Sequence, residues 1–298
     1  MAEPSMTAVI PHYGSPTTPV PLLRMLLAQE GAPPLELVLV DDASSEPFPG
    51  LDGVRVVRRA ANGGFGAAVN TGARVATGDL LLVLNSDLAI GEHFVRDLVD
   101  AARPWQPAAV SPRVVDDHDV EAWTGRRFPR VHHQATEWLV PLARWRDRSW
   151  WHRAVGHDLT ARGADAVVDW VVAAALLLPL DDFRAVGGFD ERYFMNSEEI
   201  DLQRRLRDRG VPSVVLHHPT VRHTGGGSSD PAKRRQWLVC SRLAYADKWG
   251  GRRRLQAALA AATAANLAWN TGRRLAGRPV APLRTARDEA RLLAGRRG

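Results

Sequence analysis

The sequence is short of cysteine and of long apolar stretches. One cysteine, Cys240, stands among 298 residues, which excludes an internal disulfide and a zinc site built from several thiolates. The longest apolar run covers residues 170–178 and is well below the roughly 20 residues that cross a bilayer. The first residues lack the basic start and the long apolar centre of a secretory signal. We therefore expect a protein of the reducing cytoplasm.

Lysine is scarce, and acidic residues almost vanish from the C-terminal part. Lys233 and Lys248 are the only lysines, so 37 of the 39 basic residues are arginine. Residues 1–230 carry 23 basic and 30 acidic side chains, whereas residues 231–298 carry 16 and three. A segment this basic binds anions, and its candidate partners are an anionic membrane surface, a pyrophosphate-linked lipid or a nucleic acid. The acidic body and the lack of a nucleic-acid motif argue against a nucleic acid.

Two common phosphate-binding motifs, GxGxxG and GxxxxGK[ST], are absent, which excludes a dinucleotide-binding Rossmann domain and a P-loop NTPase. Short apolar strands instead alternate with helical segments over the first 120 residues. Candidate strands cover residues 7–10, 35–40, 54–57, 80–84, 108–114, 167–178, 214–216 and 221–222. This alternation predicts an α/β fold with a mostly parallel central sheet flanked by helices. We expect an irregular, tryptophan-rich segment over about 115–165 and helices from about residue 230.

Polar side chains follow three of the candidate strands. His12 and Tyr13 follow the first strand, Asp41 and Asp42 the second, and residues 85–87 the strand at 80–84. Ligands of open α/β sheets bind beyond the carboxyl ends of the strands. These side chains are therefore predicted to form one site.

Seven short motifs occur along the chain in a characteristic order and spacing. They are VIPHYG (9–14), VLVDDAS (38–44), NGGFGAAVNTG (62–72), LLVLNSD (81–87), VGGFDERYF (186–194), SEEID (197–201) and His223 with the glycines after it. In this set the sequence resembles glycosyltransferase family 2, most closely the rhamnosyltransferase-like branch. The resemblance implies a GT-A catalytic domain over residues 1–230, with a nucleotide-sugar half over about 1–115 and an acceptor half over about 116–230. Residues 231–298 would form a helical basic C-terminal extension.

The resemblance places donor binding in the first half of the chain. Asp41 and Asp42 would read the base, because a carboxylate accepts the N3–H of uracil or thymine. The turn at 62–66 would lie beside the donor, since glycine permits close approach and a helix N-terminus favours phosphate. The other implied nucleotide-sugar-binding residues are Pro11, His12, Tyr13, Asn62, Gly63, Gly64, Gly66, Asn70, Asn85, Ser86 and Asp87. The alternative is an ordinary turn at both places, which these residue types also favour.

The same resemblance implies a Mg²⁺ or Mn²⁺ site. Asp87 and His223 would be the protein ligands, because such sites often use one or two side chains and leave the rest to phosphates and waters. Imidazole suits Mn²⁺ better than Mg²⁺. The alternatives are an Asx turn at 85–87 and a structural histidine, and His217 and His218 lie close enough in sequence to confuse the assignment.

An acidic cluster begins the helix predicted over 198–209. The resemblance implies that Glu199, the second acid of the motif, is the general base, although the family usually carries aspartate there, and Glu198 is the fallback. Trp170 and Asp201 are implied in acceptor binding. The alternatives are a core strand around Trp170, acids favoured by the helix dipole, and an i,i+4 ion pair between Asp201 and Arg205.

Together these motifs imply an inverting, metal-dependent glycosyltransferase of bacterial cell-surface polysaccharide synthesis. The favoured donor is dTDP-L-rhamnose, followed by a UDP-sugar, and the acceptor would be a glycan or a polyprenyl-linked glycan. A soluble small-molecule or natural-product acceptor is the alternative. Val69, Ala173 and Glu199 stand where many members carry Arg, Gly and Asp, so a non-catalytic nucleotide-sugar-binding subunit also stays open. A homodimer and a peripheral position on the inner face of the plasma membrane are further expectations.

Overall fold

The computed structural model describes residues 4–224 and 230–294, so the glycines after His223 lie outside the described residues. The strands are β1 (Met6–His12), β2 (Leu35–Asp41), β3 (Arg55–Arg58), β4 (Leu80–Leu84), β5 (Leu88–Ala89), β6 (Ala109–Val115), β7 (Gly125–Arg126), β8 (Ala166–Val168), β9 (Trp170–Val171), β10 (Ala175–Pro179) and β11 (Ser213–His223). The helices are α1 (Val20–Leu27), α2 (Phe65–Val75), α3 (Phe94–Ala102), α4 (Val131–Trp138), α5 (Ser149–Ala154), α6 (Leu180–Ala185), α7 (Glu198–Asp208), α8 (Pro231–Trp249), α9 (Arg252–Leu275) and α10 (Pro282–Leu293).

The central sheet has the strand order β3-β2-β1-β4-β10-β6-β11-β5, and β8 pairs with β11. The strands β3, β2, β1 and β4 are parallel neighbours, as are β6 and β11, whereas β10 runs antiparallel to β4 and β6. The strands β7 and β9 form a separate pair. The mostly parallel central sheet of an α/β fold is thereby confirmed.

Both faces of the sheet are covered, which explains why its strands are apolar almost without interruption. Side chains of β1 alternate between the faces, as the pleat requires. Met6, Ala8 and Ile10 join an apolar cluster with α1 and α3, whereas Val9 joins a second cluster with α2 and α6. All five residues of β4 are buried.

Two stretches of strand differ from the sequence expectation. Residues 167–178 were expected to form one long strand or a pair of strands, but they form parts of three, because the chain bends at Asp169 and turns at 173–174. Each piece then finds a different partner, β11, β7 or β4. Residues 214–216 and 221–222 conversely belong to the single strand β11, whose register shifts between Val215 and Thr220. Pro219 lies in that shift, where its missing N–H leaves no gap in the ladder.

The chain divides into two compact units, one of residues 1–126 and 160–229, the other of 127–159 and 230–298. The sequence expectation placed 127–159 in the acceptor half, but in the structure this segment packs with the C-terminal helices. The region over about 115–165 was also expected to be irregular, yet it contains α4 and α5. The helical character of the chain after residue 230 is as expected.

The second unit has an apolar core of its own. Trp138 on α4 packs among Leu243, Leu255 and Leu259. The indole N–H of Trp138 donates to the Thr263 hydroxyl at 2.9 Å, so the polar edge of the buried ring is also satisfied. None of the described helices has both the length and the apolar character needed to cross a bilayer.

Candidate functional site

Asp41 lies at the carboxyl end of β2, opposite His12 of β1 in the parallel register. It is almost fully buried, and its carboxylate accepts the backbone N–H groups of Ser44 at 2.8 Å and Phe48 at 3.3 Å and a hydrogen bond from Arg58. Burial alone would raise the pKa of Asp41, but these donors outweigh it and lower the pKa. The carboxylate predicted to read the base is therefore held ionised and in one orientation.

Asp42 ties the glycine-rich turn to the end of β2. Its carboxylate accepts the N–H groups of Gly63 at 3.1 Å and Gly64 at 2.8 Å and pairs with Arg59 at 2.7 Å. The Asn62 side chain also accepts the Gly64 N–H, at 3.1 Å. The contacts in the structure thus give Asp42 a positioning role, and base reading by Asp41 and Asp42 stays a prediction.

The glycines of the turn are required by close approach to the chain itself. A Cβ on Gly64, whose φ is 85°, would stand 1.9 Å from the Phe194 carbonyl oxygen. A Cβ on Gly66 would stand 2.9 Å from the Phe189 Cβ, and one on Gly63 would stand 2.5 Å from the Arg59 guanidinium. The turn therefore seats the segment that leads into α7. Contact of Gly63, Gly64 and Gly66 with a donor stays a prediction.

Asn70 on α2 holds the turn that precedes the acidic helix. Its amide donates to the Phe189 carbonyl at 2.9 Å and to Glu191 at 3.0 Å, and its carbonyl accepts the Phe189 N–H at 2.9 Å. Every polar atom of this side chain is thereby engaged with the chain. The contacts give Asn70 a positioning role, and donor contact by Asn70 stays a prediction.

His12 is a buried side chain with no hydrogen-bond partner among the described residues. Only 2% of it is exposed, and neither ring nitrogen has a partner. Burial lowers the pKa of His12 although Asp41 opposes the change, so the ring is neutral at pH 7. Pro11 is buried in β1 beside it, whereas Tyr13 is 59% exposed. A neutral imidazole with unused polar atoms beside Asp41 fits a pocket that accepts a polar ring.

The structure brings Asp87 and His223 together. Strand β5 pairs antiparallel with the end of β11, which aligns Leu88 with His223. The His223 Nε2 lies 3.1 Å from the Asp87 Oδ1, and the Asn85 amide nitrogen lies 3.5 Å from the same ring nitrogen. Ser86 stands partly exposed between Asn85 and Asp87.

Each partner shifts the pKa of the other. The hydrogen bond to Asp87 raises the pKa of His223 despite burial, and burial of Asp87 is outweighed by His223, so the pKa of Asp87 is lowered. Among the described residues no group of three or more His, Cys, Asp or Glu side chains is arranged to hold a metal. One carboxylate oxygen and one imidazole nitrogen, both partly exposed, fit a Mg²⁺ or Mn²⁺ ion that takes its remaining ligands from a diphosphate and water.

Glu198 and Glu199 begin α7 directly after a strained turn. Asn196 and Ser197 adopt φ of 70° and 68°, which non-glycine residues rarely do outside sites that demand it. Glu198 is 3% exposed, Glu199 is partly exposed, and one buried carboxylate oxygen of each has no hydrogen-bond partner among the described residues. Two carboxylates with unused oxygens therefore stand side by side.

The environments of the two acids differ. Burial raises the pKa of Glu198 well above 4.5, and the neighbouring charge of Glu199 raises it further. Burial also raises the pKa of Glu199, but the positive charge of Arg126 opposes the change. Burial thus raises the pKa of both acids, and Arg126 favours the ionised form of Glu199.

Trp170 and Arg126 face each other across the β7–β9 pair. The Arg126 guanidinium carbon lies 5.6 Å from the centroid of the Trp170 ring, and Trp170 is 6% exposed. The positive charge that opposes the rise in the pKa of Glu199 is thus carried on the same small strand pair as the predicted acceptor residue. Acceptor contact by Trp170 stays a prediction.

Gln203 joins α7 to this strand pair. Its carbonyl accepts the Val171 N–H at 2.8 Å, and its amide donates to the Val171 carbonyl at 2.7 Å and to the Glu199 carbonyl at 3.1 Å. The side chain therefore mimics a neighbouring strand and sets the position of Glu199 relative to Trp170.

Replacing Gln203 with leucine is expected to lower the free energy of unfolding by about 2 kcal/mol, because the buried N–H and C=O of Val171 lose their partners. We expect Tm to fall by roughly 4–8 °C. In the folded variant kcat should fall by a larger factor than KM changes, because the predicted general base Glu199 is displaced. Calorimetry and steady-state kinetics measure both, and the partly exposed Gln236 supplies the matched control, Gln236→Leu. Equal Tm values for the two variants would contradict the assignment.

Asp201 does not face an acceptor. It is 0% exposed and pairs with Arg205 at 2.9 Å, as the i,i+4 alternative predicted. The same arginine donates to the carbonyls of Val186 at 2.5 Å and Gly188 at 2.7 Å. The expectation of acceptor binding is corrected, because a buried carboxylate that anchors this turn has no surface left for a ligand.

Four functional or positioning residues were missed by sequence reasoning: Arg58, Arg59, Arg126 and Gln203. Arginines at 58 and 59 directly precede the glycine-rich turn, which is the one local signal that they serve it. Gln203 is a polar residue between Leu202 and Leu206 on the buried face of α7, and that position signals a specific polar partner.

The sequence matches a known family and known proteins. Residues 7–158 match the family model described as Glycosyl transferase family 2. An N-acetylglucosaminyl-diphospho-decaprenol L-rhamnosyltransferase of Mycobacterium tuberculosis is 30% identical over 253 residues, 76% of this chain and 80% of that protein. A validoxylamine A glucosyltransferase of Streptomyces hygroscopicus subsp. limoneus is 28% identical over 231 residues, 71% of this chain and 50% of its own length.

A solved structure also resembles the chain. GalNAc-T7 with UDP, GalNAc and Mn²⁺ matches with a TM-score of 0.55 at 14% identity, covering 78% of this chain and 48% of that one. At this identity the likeness shows the fold alone, and it confirms the GT-A architecture. The family match over half of the chain and the relative at 30% identity show the family itself. The chain therefore belongs to glycosyl transferase family 2 and is a glycosyltransferase.

Proposed function

We propose that this enzyme transfers a sugar, with inversion, from a pyrimidine nucleotide sugar to a lipid-linked glycan in bacterial cell-surface polysaccharide synthesis. dTDP-L-rhamnose is the favoured donor and a UDP-sugar the next. The observation that carries the proposal is the pair of acids Glu198 and Glu199, each with a raised pKa and a buried carboxylate oxygen without a partner among the described residues, in the same compact unit as Asp87 and His223. The rhamnosyltransferase relative supports the sugar and the lipid-linked acceptor.

In this mechanism Glu199 accepts the proton of the acceptor hydroxyl as the oxygen attacks C1 of the sugar. The partial exposure of Glu199 lets an acceptor reach it, and Arg126 favours its ionised form. Burial and the charge of Glu199 raise the pKa of Glu198 and so favour the protonated form of that neighbouring acid. Asp87 and His223 would hold Mg²⁺ or Mn²⁺, which when bound offsets the charge of the leaving diphosphate.

The donor class is tested by thermal unfolding with UDP, dTDP, GDP and CDP, each with and without Mn²⁺. At about 100 times Kd a ligand adds roughly 2.7 kcal/mol to the free energy of unfolding. For a chain of this size we expect Tm to rise by about 5–10 °C with dTDP and Mn²⁺. A larger shift with UDP would replace rhamnose by another sugar, and no shift with any pyrimidine nucleotide would overturn the proposal.

A soluble acceptor is the second candidate, supported by the glucosyltransferase relative whose name specifies validoxylamine A. Transfer to a small polyol but not to a polyprenyl-linked glycan would favour it. Binding of a nucleotide sugar without turnover on any acceptor would favour the non-catalytic subunit instead. Cytoplasmic action and a homodimer stay predictions.

A further inference from the structure

The turn between α9 and α10 exposes unusually large apolar side chains. Leu275, the last residue of α9, is 85% exposed, and Leu283, near the start of α10, is 64% exposed. They are the two most exposed large apolar side chains among the described residues. We call residues 274–284 the α9–α10 corner. Its apolar side chains are not explained by the core of the second unit, which uses the opposite side of α9.

The corner and its flanks are basic without any acid. Asp247 and Asp288 are the nearest acidic residues on either side, so residues 248–287 contain none. The arginines of the region around the corner are Arg273, Arg274, Arg278, Arg284 and Arg287. None of these five forms an ion pair with another described residue, whereas Arg252 at the start of α9 and Arg291 in the last turn of α10 pair with Asp247 and Asp288. Their charge is therefore available to an external anion.

Partly exposed tryptophans also lie in the second unit. Trp269 lies on α9 and is 39% exposed, and Trp150 on α5 is 45% exposed. The Arg144 guanidinium carbon lies 3.9 Å from the Trp145 ring centroid and 5.7 Å from that of Trp269, which links the two segments. Indole rings stacked with arginine are suited to a boundary that is apolar on one side and wet on the other.

We propose that the α9–α10 corner docks on an anionic lipid bilayer. Leu275 and Leu283 enter the boundary between headgroups and acyl chains, and the unpaired arginines bind lipid phosphates. A nucleic acid would use the charge but leave two leucines in water, so the observations favour a bilayer. The proposal concerns lipid binding alone and does not depend on the donor or acceptor.

The charge contribution is tested by cosedimentation of the full chain with vesicles of phosphatidylcholine and phosphatidylglycerol. Arg274→Glu with Arg278→Glu removes two arginines, each worth about fivefold in partitioning at low salt. We expect at least a roughly 25-fold loss, and high salt should weaken the unaltered chain similarly. Arg24→Glu with Arg103→Glu makes the same charge change on exposed residues of the other unit and should retain binding.

The apolar contribution is tested separately. Leu275→Ser with Leu283→Ser should weaken vesicle binding about tenfold or more at any salt concentration, because two leucine side chains no longer become buried in the bilayer. Leu27→Ser, at a 46% exposed leucine of α1, is the control. Equal binding by test and control variants would overturn the proposal. Charge-dependent binding to a DNA duplex without binding to vesicles would also overturn it. So would a chain that does not bind vesicles but forms a dimer, if the two leucine substitutions dissociate that dimer.

Discussion

Replacing Glu199 with glutamine is expected to lower kcat at least about hundredfold. Glutamine keeps the size of the side chain but cannot accept the acceptor proton, and a positioned general base contributes about 10²–10⁴ to the rate. The Tm should change little, because Glu199 is only partly buried. Transfer assays with the donor identified by thermal unfolding measure the rate. Turnover within about tenfold of the unaltered enzyme would move the base to Glu198.

Glu198→Gln is the matched control, since it makes the same change one residue earlier. Burial raises the pKa of Glu198 and favours its protonated form, which glutamine resembles, so kcat should stay within about tenfold. The raised pKa means that folded Glu198 holds its proton to a higher pH than the unfolded chain does. Stability then falls as pH rises from 4.5 through the raised pKa, and Glu198→Gln should increase Tm at neutral pH.

The pH profile of kcat follows from the same acid pair. Because the pKa of Glu199 is raised, its basic form is lost as pH falls through a value above 4.5. In the unaltered enzyme, kcat should therefore decrease as pH falls through that raised pKa. The residual kcat of Glu199→Gln should not show this decrease.

The second large effect is expected for Asp87→Ala. Losing the carboxylate that would hold the cation removes several kcal/mol of charge stabilisation, so kcat should fall about hundredfold or more. The Mn²⁺-dependent part of the nucleotide-induced Tm shift should vanish in the same variant. His223→Ala should reduce both effects less, because a water molecule can replace an imidazole ligand.

Asp100→Ala supplies the control, since Asp100 is an exposed acid that pairs with Arg103. It should leave kcat and the Mn²⁺-dependent shift unaltered. An Asp87→Ala enzyme that keeps both the rate and the shift would remove Asp87 from the cation site.

Several elements of the fold were predictable because local patterns specify them. The continuous apolar stretch of β4 can only be a buried strand, and α7 begins with its acids and ends near Gly210, as the sequence indicates. The strands at 166–179 were not separable, because no local feature tells which neighbour each piece will pair with. Their pairing is set by which strands are neighbours in the folded chain, namely β11, β7 and β4.

The candidate site shows the same limit. The order of the motifs predicted Asp41, Asp87, Glu199 and His223 as site residues from the sequence, and their roles stay predictions. The contacts of Asn70 with the turn 119 residues later were not predictable, and they give this predicted donor-binding residue a positioning role as well. Asp201 likewise looked available until its complete burial against Arg205 was seen.

The sequence by itself determined the family, the α/β fold and the residue types from which the site is built. Only the tertiary structure decided that Asp87 meets His223 across 136 residues and that burial raises the pKa of Glu198 and of Glu199. It also decided that 127–159 joins the C-terminal helices. The reason is that residue types and short spacings are properties of the local sequence and can be read from it directly. Burial, pairing and pKa depend on which distant segments pack together.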